Sequence, residues 1–164
     1  MSSPAIEEFR RKGLVPKKSF GQNFLVDPAL SRRIAELATP SEGGTVVEIG
    51  AGLGALTAPL LERAARVVAI ERDRDLCPIL RTAFAEPIAE GRLVILEADA
   101  KQAAFEELLS SGPSPRVLAG NLPYQLTGPL LERATTLASA LDRAVFMVQA
   151  EVAERLLAAP ASES

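Results

Sequence analysis

The chain reads TVVEIGAGLG over residues 45–54, and this stretch decides the fold. Its first five residues are mostly β-branched and form a continuous run, which is typical of a short strand buried in a parallel sheet. Three glycines follow at alternate positions, Gly50, Gly52 and Gly54. Because glycine lets the backbone turn sharply and approach a ligand closely, the stretch predicts a buried strand that ends in a binding loop.

Four further runs of the same kind follow, and amphipathic stretches separate them. We predict strands at residues 66–70, 93–96, 117–119 and 144–148. Asp27 is predicted to cap a helix that begins at Pro28 and ends near residue 38. We predict further helices at residues 54–64, 73–84, 101–109, 127–140 and 149–158, with a break near Pro78. Alternating strands and helices indicate an α/β fold whose parallel sheet carries helices on both faces. Ligands of such sheets bind beyond the carboxyl ends of the strands.

The composition is that of a single domain with a large apolar core. The chain has 164 residues, of which 48% are hydrophobic. No apolar run approaches the roughly 18 residues that cross a bilayer, and residues 1–18 lack the apolar segment of a secretory signal. We therefore expect a soluble, cytoplasmic protein that does not contact a membrane.

The absence of histidine excludes several kinds of active site. With no histidine in the sequence, a Ser-His-Asp triad, a Cys-His pair, a histidine general base and the usual zinc site are impossible. A single cysteine, Cys77, rules out an internal disulfide and suits a small core residue. We expect no metal site, and we expect chemistry based on carboxylates, amides, tyrosine, lysine or a cofactor.

An acidic residue accompanies the glycine loop. Glu71 lies 21 residues after Gly50, at the end of the second predicted strand, where a carboxylate can accept both hydroxyls of a ribose. From Gly50 onward the loop fits the Gly-x-Gly-x-Gly pattern usual for S-adenosylmethionine. It also fits the Gly-x-Gly-x-x-Ala pattern allowed for dinucleotides, and the plain alternative is a tight turn with a surface glutamate.

Asp99 ends the third predicted strand. Its side chain can accept a hydrogen bond from an adenine amine, so that three strand ends together would hold one adenosyl cofactor. The alternative is that Asp99 caps the helix that begins near Lys101.

The fourth predicted strand ends in the sequence Asn121-Leu122-Pro123-Tyr124. Methylation of an exocyclic amine needs an amine that is freed from its ring and aimed at the methyl donor. The side-chain oxygen of Asn121 and the carbonyl of Leu122 can accept the two amine hydrogens, and Pro123 fixes the backbone that directs this carbonyl. Tyr124 offers a flat face on which an extruded base can stack. The alternative is a simple turn with an exposed tyrosine.

The N-terminal segment combines amides, phenylalanines and positive charge. Gln22 and Asn23 lie between Phe20 and Phe24, and they can close over a cofactor as a lid or merely follow an apolar anchor. The overall charge is −3, whereas residues 1–18 hold five basic and two acidic residues. Such an arm can meet RNA phosphates, and the alternative is a solvated chain end.

Four motifs taken together resemble the ribosomal RNA adenine dimethyltransferase family. They are KSFGQNFL at residues 18–25, EIGAGLG at residues 48–54, Asp99, and NLPY at residues 121–124. The resemblance is greater to the bacterial small-subunit rRNA enzymes than to the large-subunit resistance methylases. It implies an S-adenosylmethionine-dependent, Rossmann-like methyltransferase domain followed by a smaller helical domain. It also implies dimethylation of two adjacent adenines near the 3′ end of small-subunit rRNA during ribosome maturation.

The resemblance also assigns site residues and an organisation. By motif, cofactor contacts fall on Gln22, Asn23, Leu25, Gly50, Gly52, Glu71, Asp99, Ala100 and Asn121. The catalytic group is Asn121, Leu122, Pro123 and Tyr124. We expect a basic arm and cofactor lid over residues 1–26 and a methyltransferase domain over residues 27–164 that lacks the family's last strands and its C-terminal helical domain. We expect a monomer whose partner is small-subunit rRNA or the immature small subunit.

Two other functions are compatible with part of the pattern. A non-catalytic assembly factor would bind the cofactor and the immature ribosomal subunit without turnover. An NAD-dependent oxidoreductase would use the glycine loop and Glu71, but it would leave Asp99 and residues 121–124 without a role.

Overall fold

A computed structural model of the chain describes residues 3–22, 24–25 and 27–158. Its centre is a sheet of five parallel strands. In chain order they are β1 (Thr45–Ile49), β2 (Arg66–Glu71), β3 (Leu93–Glu97), β4 (Arg116–Asn121) and β5 (Arg143–Met147). All five predicted strands are confirmed, and no strand end differs from its prediction by more than two residues. The expectation of full burial was wrong for the edge strands β3 and β5, which are only partly buried.

Helices precede, connect and follow the strands. They are α1 (Pro4–Arg11), α2 (Pro28–Ala38), α3 (Thr57–Leu61), α4 (Leu76–Ala83), α5 (Ala85–Ala89), α6 (Phe105–Leu109), α7 (Tyr124–Thr136) and α8 (Ala150–Leu157). Two short 3-10 helices occupy Lys18–Phe20 and Ala100–Gln102. The predicted cap of α2 is confirmed, since the Asp27 carboxylate accepts a hydrogen bond of 2.9 Å from the N–H of Ala29.

Several helix predictions were wrong for local reasons. The helix after the glycine loop begins at Thr57 rather than Gly54, because Gly54 has a φ of +83° that no right-handed helix contains. α4 passes Pro78 without a break because this proline is its third residue, where a backbone N–H has no partner within the helix. α7 begins at Tyr124 and so encloses Pro129.

Two helices were not predicted at all. α1 lies in the segment interpreted as a basic arm, and it buries Ala5 and Phe9 against Leu76 and Ile79 of α4. α5 is a single turn without buried residues, so its sequence carries no apolar periodicity.

The two faces of the sheet bury separate apolar clusters. Alternate residues of a strand point to opposite faces, and β1 is buried along its whole length. Val46 belongs to the cluster that includes Ile34 of α2 and Leu60 of α3. Val47 belongs to the cluster on the other face, with Phe105 of α6 and Leu130 of α7. The strand that carries the glycine loop is therefore held rigidly from both sides.

The strand order creates a crevice at the carboxyl ends of the strands. The order is β3-β2-β1-β4-β5, so the chain moves outward from β1 to β3 and then returns to the other side of β1. Ile49 at the end of β1 is in register with Ile70 of β2 and with Gly120 of β4. This reversal of direction is the place where open α/β sheets bind their ligands. Within the described residues, no helix has the length and apolar character required to cross a membrane.

We predict that Gly54→Ala destabilises the protein more than Gly91→Ala. Both glycines have a positive φ, +83° and +74°, so both substitutions carry about 1–2 kcal/mol of backbone strain. At Gly54 a Cβ would also overlap the ring of Phe84, 2.7 Å from its Cζ, whereas nothing lies within 4 Å at Gly91. Overpacking should add about 1–3 kcal/mol at Gly54. Unfolding free energies measured in urea check this difference, and equal losses for the two variants would contradict it.

Candidate functional site

A cavity of about 300 Å³ lies at the carboxyl ends of β1, β2 and β4. Of the predicted site residues, the cavity lining includes Gln22, Leu25, Gly50, Gly52, Glu71, Ala100, Asn121 and Pro123. Asp99, Leu122 and Tyr124 are not in the lining, and Asn23 lies outside the described residues. The structure thus brings residues from three of the four motifs, together with Glu71 and Ala100, to one cavity.

The glycine loop forms one wall of the cavity. Its three glycines all have a positive φ, which turns the chain away from β1. The N–H groups of Gly50 and Ala51 donate hydrogen bonds of 2.9 and 3.1 Å to the carbonyl of Ile70 in β2. The ring of Phe24 packs over Gly52, since a Cβ on this glycine would lie 3.2 Å from Cδ1 of the ring. The loop is therefore held from below by β2 and from above by the N-terminal segment.

The carboxylate of Glu71 lies on the β2 side of the cavity. It is 6% exposed. Its oxygens accept hydrogen bonds from the N–H of Gly52 at 2.8 Å and from the N–H of Asp73 at 2.9 Å. Burial raises the pKa of Glu71 above its usual range, and these two hydrogen bonds oppose that rise. The carboxylate links the glycine loop to the end of β2, so the surface-glutamate alternative was wrong.

Glu48 lies beneath the cavity, and we assigned it no role from the sequence. It is 1% exposed and lines the cavity from within β1. The hydroxyl of Thr57 donates a hydrogen bond of 2.6 Å to its carboxylate. Burial raises the pKa of Glu48 to about 7, with a smaller contribution from the charge of Glu71. The signal that the sequence offered for Glu48 is a single charged residue inside an otherwise apolar strand.

Asp99 and Ala100 have different surroundings. Ala100 is buried in the cavity wall. The Asp99 carboxylate accepts a hydrogen bond of 2.9 Å from the N–H of Lys101 and so caps the 3-10 helix Ala100–Gln102. The capping alternative is therefore present in the structure, and the contact of Asp99 with an adenine amine stays a prediction.

Residues 121–124 connect the end of β4 to α7. Asn121 and Pro123 line the cavity. Leu122 is buried, and its N–H donates a hydrogen bond of 3.0 Å to the carbonyl of Met147 in β5. Tyr124 is 56% exposed and begins α7 beside the cavity. The motif thus presents an amide inside the cavity and an aromatic ring to the solvent at its edge.

The N-terminal segment closes the cavity on one side. Phe20, Gln22, Phe24 and Leu25 all line it. The rings of Phe24 and Phe9 make an edge-to-face contact with centroids 5.4 Å apart, so the segment is anchored on α1 and α4. The anchoring alternative is confirmed, and a lid role of Gln22 and Asn23 stays a prediction.

We predict that Glu48 makes the folded state less stable as pH rises. Its folded pKa of about 7 exceeds the ordinary value of 4.5, so the native state binds the extra proton between these two pH values. The contribution of Glu48 to the free energy of unfolding is fully present below pH 4.5. It falls as the pH rises and is lost above about pH 7, a change of about 3 kcal/mol in total. Glu48→Gln should remove this loss. Urea unfolding at several pH values from 5 to 8 measures it, and parallel curves for the variant and the wild type would disprove the role of Glu48.

Comparison with known proteins agrees with this geometry. A family model described as ribosomal RNA adenine dimethylase matches residues 14–164. Ribosomal RNA small subunit methyltransferase A of Anaeromyxobacter sp. (strain K) is 48% identical over 160 residues, which cover 93% of this chain and 55% of that protein. The chain spans about half the length of the curated relatives it matches.

Two solved structures share the fold. A dimethyladenosine transferase from Plasmodium falciparum superposes with a TM-score of 0.67 and 29% identity, over 84% of this chain and 47% of that one. The 23S rRNA methyltransferase ErmE superposes with a TM-score of 0.63 and 29% identity, over 80% of this chain and 50% of that one. The parallel sheet is therefore the Rossmann-like sheet of the methyltransferases. Since the family match extends over most of the sequence, this chain belongs to the ribosomal RNA adenine dimethylase family.

Proposed function

We propose that the cavity binds S-adenosylmethionine and that the protein dimethylates two adjacent adenines near the 3′ end of small-subunit rRNA. One observation carries the proposal. The amide of Asn121 shares a single cavity with the glycine loop and with Glu71. A side chain that can hydrogen-bond the amine to be methylated thus lies in the same cavity as groups that can bind an adenosyl cofactor. Membership of the adenine dimethylase family supports the same substrate.

The cavity fits the proposed cofactor in size and chemistry. Its volume of about 300 Å³ lies at the lower end of the range for small-molecule sites. Apolar side chains such as Phe24, Leu25 and Leu53 form much of the wall. Glu71 would accept the ribose hydroxyls, and the glycine loop would lie near the methionine part. When bound, the cofactor supplies a methyl group on a positively charged sulfur.

The chain's own residues would position the acceptor. The Asn121 oxygen and the Leu122 carbonyl would accept the amine hydrogens, which turns the nitrogen lone pair out of the ring plane toward the donor. The exposed ring of Tyr124 would stack on the extruded adenine. Two oxygen acceptors also stabilise the positive charge that develops on the nitrogen. Positioning of this kind requires no histidine base, in agreement with the composition.

The partner and the site of action follow from this substrate. We propose that the protein binds small-subunit rRNA within the immature subunit and acts in the cytoplasm, where such particles assemble. The division at residue 26, the monomeric state and the absence of a metal stay predictions.

We predict that Glu71→Gln weakens binding of S-adenosylhomocysteine by about 10- to 100-fold. A glutamine retains one acceptor oxygen, whereas a ribose offers two hydroxyls. Glu97→Gln is the matched control, because Glu97 is in register with Glu71 on the neighbouring strand but does not line the cavity. Calorimetric titration measures both variants beside the wild type. Tight binding of NAD instead would favour an oxidoreductase and contradict the proposal.

We predict that Asn121→Ala lowers methyl transfer by about 100-fold or more. Tyr124→Ala should lower it by about 5- to 150-fold through lost stacking, and Tyr124→Phe should keep it within about threefold because the ring remains. Transfer of a labelled methyl group to immature small subunits is the measurement. Cofactor binding without any transfer by the wild type would favour the non-catalytic assembly factor.

A further inference from the structure

Residues 12–22, which we call the strap, run from the end of α1 across the mouth of the cavity. Three residues of the strap, Phe20, Gly21 and Gln22, line the cavity itself. The 3-10 helix Lys18–Phe20 gives the strap its only regular structure. The hydrogen bonds that hold it to the rest of the protein therefore decide where this wall of the cavity lies.

Lys17 and Gln22 attach the strap to the loop between β2 and α4. The Lys17 ammonium donates a hydrogen bond of 2.6 Å to the carboxylate of Asp73 and another of 2.6 Å to the carboxylate of Asp75. The side-chain amide of Gln22 donates at 2.6 Å to the second oxygen of Asp73, while its oxygen accepts from the N–H of Lys17 at 2.7 Å. The oxygen of the Gln22 amide is thus hydrogen-bonded to Lys17, and its nitrogen is hydrogen-bonded to Asp73.

The ammonium of Lys17 compensates the negative charge of the buried Asp73 carboxylate. The Asp73 side chain is 2% exposed. Burial acts to raise its pKa, but the hydrogen bonds from Lys17, Asp75 and Gln22 outweigh burial, and the pKa lies below its usual range. A buried anion without its cation is strongly unfavourable. The described structure offers Asp73 no other cation, since its remaining hydrogen bond comes from the N–H of Asp75.

Packing adds to this attachment on the cofactor side. The guanidinium of Arg72 lies 4.1 Å from the ring centroid of Phe20, and the ammonium of Lys17 lies 5.4 Å from it. Arg72 directly follows Glu71 in the chain. The ring of Phe20 is consequently oriented by the same loop that carries the carboxylate proposed to hold ribose.

The strap also touches the acceptor side of the cavity. Gly21 packs so closely on the start of α7 that a Cβ there would overlap the Gln125 amide oxygen and lie 2.9 Å from Cβ of Pro123. The strap therefore spans the cavity mouth from the end of β2 to the end of β4, and its position affects both the cofactor wall and the NLPY motif.

We propose that Lys17 is a positioning residue for the cofactor, which it serves by fastening the strap to Asp73 and thereby setting Phe20 and Gln22 in the cavity wall. The inference rests on the proposed function. Only the fastened strap completes the cavity, so the apparent affinity falls with the fraction of molecules in which the strap is in place. Lys18, its neighbour, makes no ion pair with any described residue and is not expected to contribute.

The test compares Lys17→Met with Lys18→Met, two variants that lose the same charge at adjacent positions. We expect Lys17→Met to weaken binding of S-adenosylhomocysteine at least tenfold in calorimetry, Lys18→Met to change it less than twofold, and Lys17→Arg to restore it to within about threefold of the wild type. Hydrogen exchange without ligand should be at least tenfold faster in the strap of Lys17→Met, with unchanged exchange in β1. A loss of global stability alone would not produce this local pattern.

The possible results distinguish the role of Lys17 from the proposed function on which it rests. Equal affinity for Lys17→Met and Lys18→Met, in a protein whose wild type binds the ligand, overturns the role of Lys17 and leaves the proposed function standing. A folded wild type that does not bind the ligand overturns the proposed function itself. Lys17→Gln keeps a hydrogen-bond donor for Asp73 without the charge, and it supplies the same comparison where Lys17→Met does not fold.

Discussion

The site depends on the two hydrogen bonds that the buried carboxylate of Glu71 accepts. It accepts one hydrogen bond from the glycine loop and one from the loop that leads into α4. These two loops follow different strands, and neither has regular structure where they meet. A carboxylate with two acceptor oxygens joins them while it is itself removed from water. Burial makes the charged form of Glu71 costly, and the two hydrogen bonds offset part of that cost. The hydrogen bonds and the enclosed cavity therefore depend on each other.

A second carboxylate extends this arrangement to the N-terminal segment. Asp73, whose N–H is bound by Glu71, binds Lys17 and Gln22 through its own side chain. The order of contacts runs from the glycine loop through Glu71 and Asp73 to the strap. Three sequence-distant segments thus enclose one cavity through a chain of hydrogen bonds, and apolar packing of Phe9 and Phe24 supports the same enclosure.

Much of the fold was predictable because its signals are local. A continuous apolar run predicts a strand whatever follows it, and all five runs form strands in one parallel sheet. How deeply each strand is buried depends on its place in the sheet, since the edge strands β3 and β5 are only partly buried. Helix ends were less predictable. The start of α3 depends on the φ of Gly54, and α1 is helical in a polar segment whose few apolar residues pack on α4. Such contacts cannot be read from local periodicity.

The candidate site divides in the same way. The sequence by itself determined the fold class, the glycine loop, Glu71 and the motif at residues 121–124, because each lies directly after a strand end and strand ends of a parallel sheet meet at one edge. Tertiary structure alone decided that Glu48 lies under the cavity and that Lys17 pairs with Asp73 across 56 residues of chain. Those outcomes depend on burial and on distances between segments far apart in sequence, which no local pattern of residue types records.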